Sequence, residues 1–289
     1  MGDQEGGIRE SWFLAIGGGE EKEDNRSTLR RFLGLAGGSG ARVLVIELGE
    51  ERTRGPIIKD QLVEVGAASV TYLHANDASA FDDADALAAA ENATGFYLVG
   101  GSPAHADLLL ASRIGKLIAE KAAAGCAIAA SGAACALLGE FQIVSNQKKS
   151  ASPVKGFVSL RAGLGFLPGI VFDGPPNPSR YVRLLTAVAQ SPFHLGIAVD
   201  EGTLALFGPD GVVEAYGAGS VSVVDGSSAG YSNYFALKED GTVGLTGARV
   251  SLLTDGMRFD LVQRAYIYPH NERTHKRVSA QAEARALTR

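Results

Sequence analysis

The stretch Gly125–Leu138, GCAIAASGAACALL, decides the fold of this 289-residue chain. Its first half, Cys126–Ala130, is short and apolar and follows a glycine, which reads as a strand buried on both faces. The chain then turns through Ser131-Gly132 into an alanine-rich run that reads as a helix. A serine between such a strand and helix has the shape of a nucleophile turn, in which a strained central residue lifts its hydroxyl above the sheet edge. Small neighbours are required there, and Ala129, Gly132 and Ala133 meet that need. Ala129 and Ala133 stand where G-x-S-x-G has glycines, so on this motif alone a buried serine that starts a helix is an equal reading.

Upstream, short apolar strands alternate with helical patterns. Trp12–Ile16 runs into Gly17-Gly18-Gly19, and Ser27–Leu35 has helical spacing of Leu29, Phe32 and Leu33. Arg42–Ile46, Val70–Leu73 and Gly95–Val99 read as further strands, with helices over Ile57–Val65, Ala78–Asn92 and Pro103–Ala124, the last capped by Ser102. Five such strands predict a doubly wound parallel sheet with ligand sites beyond its carboxyl ends. Gly17–Gly19, Glu47–Gly49, Gly100–Pro103 and Ser131 fall there. The Gly17–Gly19 turn does not read as a phosphate cradle, because Glu20, Glu21, Glu23 and Asp24 would repel an anion.

Downstream, Gln142–Pro153 is polar and reads as a surface loop, followed by apolar patterns at Gly163–Leu167 and Ile170–Asp173 and a helix over Ser179–Ala189. From Gly196 the period changes to two, and Ile197–Val199, Thr203–Phe207, Val212–Tyr216 and Ser220–Val224 predict antiparallel strands. The expected fold is a three-layer α/β/α sandwich with a mainly parallel, flavodoxin-like central sheet and additional antiparallel strands in the C-terminal half. Residues 1–268 read as one domain, and 269–289 as a charged tail or surface helix.

Composition narrows the function classes. Hydrophobic residues make up 46% and charged residues 20%, as in ordinary globular proteins. A net charge of −5 gives no basic face for nucleic acid or an anionic membrane. No run approaches the ~18 apolar residues of a membrane span, and the opening residues MGDQEGGIRESW lack the basic start and long apolar run expected of a signal peptide. With two cysteines, Cys126 and Cys135, a disulfide framework is not expected. A cytoplasmic protein is expected, with no metal site and no cofactor.

Several motifs in order resemble the cyanophycinase-like serine peptidases, a branch of the class I glutamine amidotransferase-like fold. Gly17-Gly18-Gly19-Glu20-Glu21-Lys22 is similar to the family's GGG-x-E-x-K, Gly163–Pro168 with Asp173 to its GLGLLP…D, and Gly196–Thr203 to its GIGIDE-x-T. The resemblance places the nucleophile at Ser131, inside the family's G-T-S-A-G-A. It places the carboxylate that orients the catalytic histidine at Glu201. It implies a small peptide-like or amino-acid-derived ligand held by Gly100, Gly101, Ser102, Gly132, Asp173, Arg180 and Arg183, and a homodimer.

The sequence departs from that pattern where the histidine should be. The family's D-Q-H-F is here Asp173-Gly174-Pro175-Pro176, so Pro175 stands at the general base, and the family's G-G-D-Q loop becomes Gly100-Gly101-Ser102-Pro103. A serine hydroxyl without a base is a weak nucleophile, and triad knockouts lose on the order of 10³ to 10⁶ in rate. Two expectations follow. Either the peptidase is lost and the cleft binds a small ligand or partner, or another histidine, His105, serves Ser131 in a working hydrolase on an aspartyl or isopeptide-like substrate.

Overall fold

The computed structural model describes residues 11–22, 26–145, 152–174 and 179–268. In the first half the strands are β1 (Phe13–Ile16), β2 (Arg42–Leu48), β3 (Ser69–Ala75), β4 (Gly95–Gly100) and β5 (Ala127–Ser131). Between them run α1 (Ser27–Leu35), α2 (Gly55–Glu64), α3 (Ala84–Asn92), α4 (Pro103–Ala111) and α5 (Arg113–Ala123). The strands pair in parallel in the order β1-β5-β4-β2-β3, with the serine strand inside the sheet.

Every residue of β5 is buried. Side chains alternate between two faces, as the pleat requires. Phe13 and Ala15 enter a core beneath α3 and α5, while Leu14 and Ile16 enter one beneath α1 and α2.

The second half does what a period of two predicts and also builds a second sheet. β6 (Gly139–Ser145), β7 (Val158–Ala162) and β8 (Leu167–Phe172) precede α6 (Arg180–Gln190), β9 (Leu195–Val199), β10 (Thr203–Phe207), β11 (Val212–Gly217) and β12 (Val221–Asp225). Strands β10 and β11 extend the first sheet antiparallel from β1. Strands β12, β9, β8, β6 and β7 lie in that order in a six-stranded sheet, which β13 (Arg249–Leu253) closes beyond β12. Ile197, Val199, Val221 and Val223 share the core of Phe13 and Ala15, so this sheet packs against one face of the first. Helix α6 covers its other face through Leu184 and Val188.

Several expected elements are redrawn. The helix expected over Pro103–Ala124 is two helices, because Ser112 leaves the helical region (ψ 164°) and its hydroxyl accepts the Gly115 N–H, starting α5 afresh. Asp83 likewise caps α3 through the Ala86 N–H and divides the helix expected from Ala78. The run after Ser131 is a 3-10 helix, Gly132–Leu138. Gln142–Ser145, expected in a loop, belongs to β6, where Ile143 faces the α6 core. Residues 146–151, Pro175 to Pro178 and the tail from residue 269 lie outside the described residues. Among the described residues, no helix is long and apolar enough to cross a membrane.

Candidate active site

Strand pairing brings the sequence-marked turns together. Ser131 ends β5 level with Ile16 of β1 on one side and Val99 of β4 on the other. Glu47 lies level with Val99 on β2. The strain expected at Ser131 sits one residue later. Ser131 is in ordinary extended backbone (φ −125°, ψ 140°), and Gly132 takes φ +63°. A side chain at Gly132 would be strained, and its Cβ would lie 3.0 Å from Arg54 Nη1.

The expectation that Ser131 is exposed does not hold, for its exposure is 0%. The reason is Glu20. Gly17 allows the loop after β1 to pass directly against Asp200, whose carbonyl oxygen would lie only 1.9 Å from a Cβ there. The Gly202 N–H then bonds the Gly18 carbonyl at 2.8 Å, and the chain turns Glu20 back over the end of β5. Glu20 is 1% exposed. Its Oε1 accepts from Ser131 Oγ in a short hydrogen bond, from Tyr97 OH at 3.1 Å and from Arg54 Nη2 at 3.0 Å. Arg54 Nη2 also reaches Glu20 Oε2 at 3.1 Å and Ser131 Oγ at 3.1 Å. The hydroxyl therefore donates to a carboxylate and accepts from a guanidinium.

Arg54 is itself held by its backbone. Glu47, buried near the end of β2, accepts the N–H groups of Thr53 and Arg54 through Oε1 and the hydroxyl of Tyr72 through Oε2. These are donors at the start of α2, which a helix leaves unsatisfied. Burial works to raise the Glu47 pKa, but Tyr72 and the backbone donors outweigh it and hold the carboxyl below its ordinary value. Burial, reinforced by Glu20, pushes the Tyr97 phenol well up. Cys135 donates to the Ile16 carbonyl at 2.8 Å, and burial raises its thiol too, so it is a packed core thiol rather than a nucleophile.

The other expected site residues separate into two groups. Gly100, Gly101 and Ser102 form the rim of an open cleft of about 280 Å³, also lined by Glu47, Glu51, Arg54 and His105. A smaller cavity of about 100 Å³ behind the same turn is lined by Ala133, Gln142, Gly174 and Arg183. Ser131 lines neither.

Arg183 grips the buried Asp173 through Nε and Nη2, at 2.7 to 3.0 Å. Burial pushes the Asp173 carboxyl up, and this grip opposes it. Arg180 pairs with Asp200, whose two oxygens it shares with Ser220. Both arginines, expected on a ligand, are thus engaged within the protein.

The remaining candidate catalytic groups do not converge on Ser131. Glu201 is 62% exposed and pairs with Lys22 at 3.2 Å. His105, expected as a substitute base, instead has Nδ1 2.7 Å from Ser102 Oγ. His194 Nδ1 rests 2.7 Å from Ser191 Oγ, with Nε2 3.4 Å from Glu140. Among the described residues, no group of three His, Cys, Asp or Glu is gathered to hold a metal.

Comparison with known proteins places this geometry. No protein-family profile matches the chain. It is 31% identical over 265 residues to the cyanophycinase of Synechococcus elongatus, covering 89% of this chain and 82% of that one. Against the cyanophycinase of Geminocystis herdmanii it is 31% identical over 258 residues, covering 86% and 93%. The chain belongs to the cyanophycinase family. A peptidase from an acI-B1 Actinobacterium shares the fold, with a TM-score of 0.63 at 16% identity, over 88% of this chain and 98% of that one. Pro175 and the tail histidines His270 and His275 lie outside the described residues.

Sequence reasoning missed Glu20, Arg54, Tyr97 and the capping role of Glu47. Tyr97 and Glu47 carried a signal, each being a polar group inside an otherwise apolar strand, which must find a partner when buried. Glu20 sat in an acidic run read only as repelling an anion, and Arg54 before the expected helix over Ile57–Val65. Only the tertiary path of the Gly17–Gly19 turn joins those two.

Proposed function

We propose that this cyanophycinase-family protein has lost peptidase chemistry at Ser131 and binds a small peptide-like or amino-acid-derived ligand in the strand-end cleft. The observation that carries this reading is the partnering of the Ser131 hydroxyl. Among the described residues no histidine bonds it, and its proton points at Glu20. That carboxylate already pairs with Arg54 and accepts the Tyr97 hydroxyl. A carboxylate is intrinsically a weaker base than the imidazole of a triad, and both partners favour its charged form further. A substrate carbonyl would also have to displace Glu20 or Arg54 to reach Oγ. Pro175, at the family's histidine position, supports the same reading.

The open 280 Å³ cleft beside this corner suits a small ligand. Incubation with cyanophycin and with aspartyl dipeptides tests the proposal. Wild type and Ser131→Ala should release the same background amount of product. Turnover that Ser131→Ala abolishes would establish the hydrolase reading instead.

A further inference from the structure

The cleft holds a second serine, and its surroundings differ from those of Ser131. Ser102 is exposed at the mouth, on the turn between β4 and α4. At the N-terminus of a helix a serine hydroxyl ordinarily accepts a backbone N–H of the first turn. Here it makes no such bond. The hydroxyl turns instead to Nδ1 of His105 at 2.7 Å, and both residues line the 280 Å³ cleft. A nucleophile and base within 2.6–3.2 Å, facing a cavity, are the two groups a serine-type acyl transfer requires. The Ser191–His194 pair has the same spacing but lines neither cavity described above.

We infer that Ser102 and His105 form a second nucleophile–base pair, able to take an acyl group from a small activated ester bound in the cleft. This rests on the cleft being the ligand site proposed above. With the ring proton on Nε2, Nδ1 accepts the Oγ proton as Oγ attacks the ester carbonyl. The acyl C–O bond to the leaving group breaks, its oxygen keeps the bonding electron pair and takes the proton from the His105 imidazolium, and the alcohol departs with His105 neutral again. Water then attacks the Ser102 ester while its proton passes to His105. The carboxylate leaves, and Ser102 recovers a proton from the imidazolium. The sum is ester plus water giving acid plus alcohol, with no other reactant.

The probe is p-nitrophenyl acetate on the full chain, read by nitrophenolate release and by mass-spectrometric mapping of the acetylated peptide. Wild type should carry acetyl on Ser102. Ser102→Ala and His105→Gln should each slow release at least tenfold, and Ser131→Ala should stay within twofold of wild type. Ser102→Gly, tolerated at a helix start, guards against a folding defect and should match Ser102→Ala. Release unchanged in Ser102→Ala, or acetyl only on lysines, overturns this inference alone. Acetyl on Ser131 overturns it together with the proposed function.

Discussion

Two serines end neighbouring parts of one sheet edge, and they meet opposite surroundings. Ser131 is sealed, with its hydroxyl between Glu20 and Arg54 and no exposed surface. Ser102 stands open, touching His105 at the mouth of a cleft. A turn that delivers a serine to a strand end therefore does not by itself make a nucleophile. What decides reactivity is whether the hydroxyl meets an imidazole or a carboxylate already held by a guanidinium, and whether a substrate can approach.

The sealed corner should dominate stability. Removing one partner of a buried ion pair leaves an uncompensated charge, which costs about 3–5 kcal/mol. Arg54→Ala should lie at the lower end, about 3 kcal/mol in urea unfolding, because the guanidinium side is 28% exposed and the Glu20 side 0%. A loss below about 1 kcal/mol would show that water already reaches Glu20 and that the corner is not sealed.

The reciprocal change should cost less. Glu20→Gln keeps the shape and leaves a cation that water can solvate, so about 1–2 kcal/mol is expected. If it equalled Arg54→Ala, burial would be symmetric across the pair. Smaller still is Ser131→Ala, about 1 kcal/mol, since Glu20 keeps two other donors. On the open side, Ser102→Ala should stay within about 0.5 kcal/mol of wild type, as for surface substitutions. A loss there as large as that of Ser131→Ala would mean that Ser102 is a structural cap.

A distant ion-paired carboxylate gives the pH reference for these measurements. Asp225 is buried, and burial alone would raise its pKa, but the Ser227 N–H, Arg249 and Arg264 outweigh that and hold it to about 2, against an ordinary 3.8. A carboxyl lowered by folding stabilises the fold at pH above its unfolded value and loses that contribution as acid protonates it. The Tm should therefore hold above pH 4 and fall between about pH 4 and pH 2. Asp225→Asn should flatten that fall, and an unchanged acid slope would contradict the assignment.

How much of this was legible in the sequence depended on how local the cause was. Strand Thr203–Phe207 and helix Ser27–Leu35 match their expected ends because apolar period and turn residues are local signals. The second sheet was not legible, because a period of two does not say which sheet a strand joins. β10 and β12, alike in pattern, end up in different sheets. At the site, Gly132 and Ser131 could be read from the turn they form. The burial of Ser131 could not, since it comes from Glu20, 111 residues away. The acidic run around Glu20 told only against an anion, and it is the close approach at Gly17 that folds Glu20 inward.

The most direct test of the central claim is labelling with a fluorophosphonate, which phosphonylates an activated serine hydroxyl, followed by peptide mapping of the full chain. The Gly125–Leu138 peptide should remain unmodified at reagent concentrations that label a working serine peptidase to completion. Stoichiometric modification of Ser131, absent in Ser131→Ala, would contradict the account.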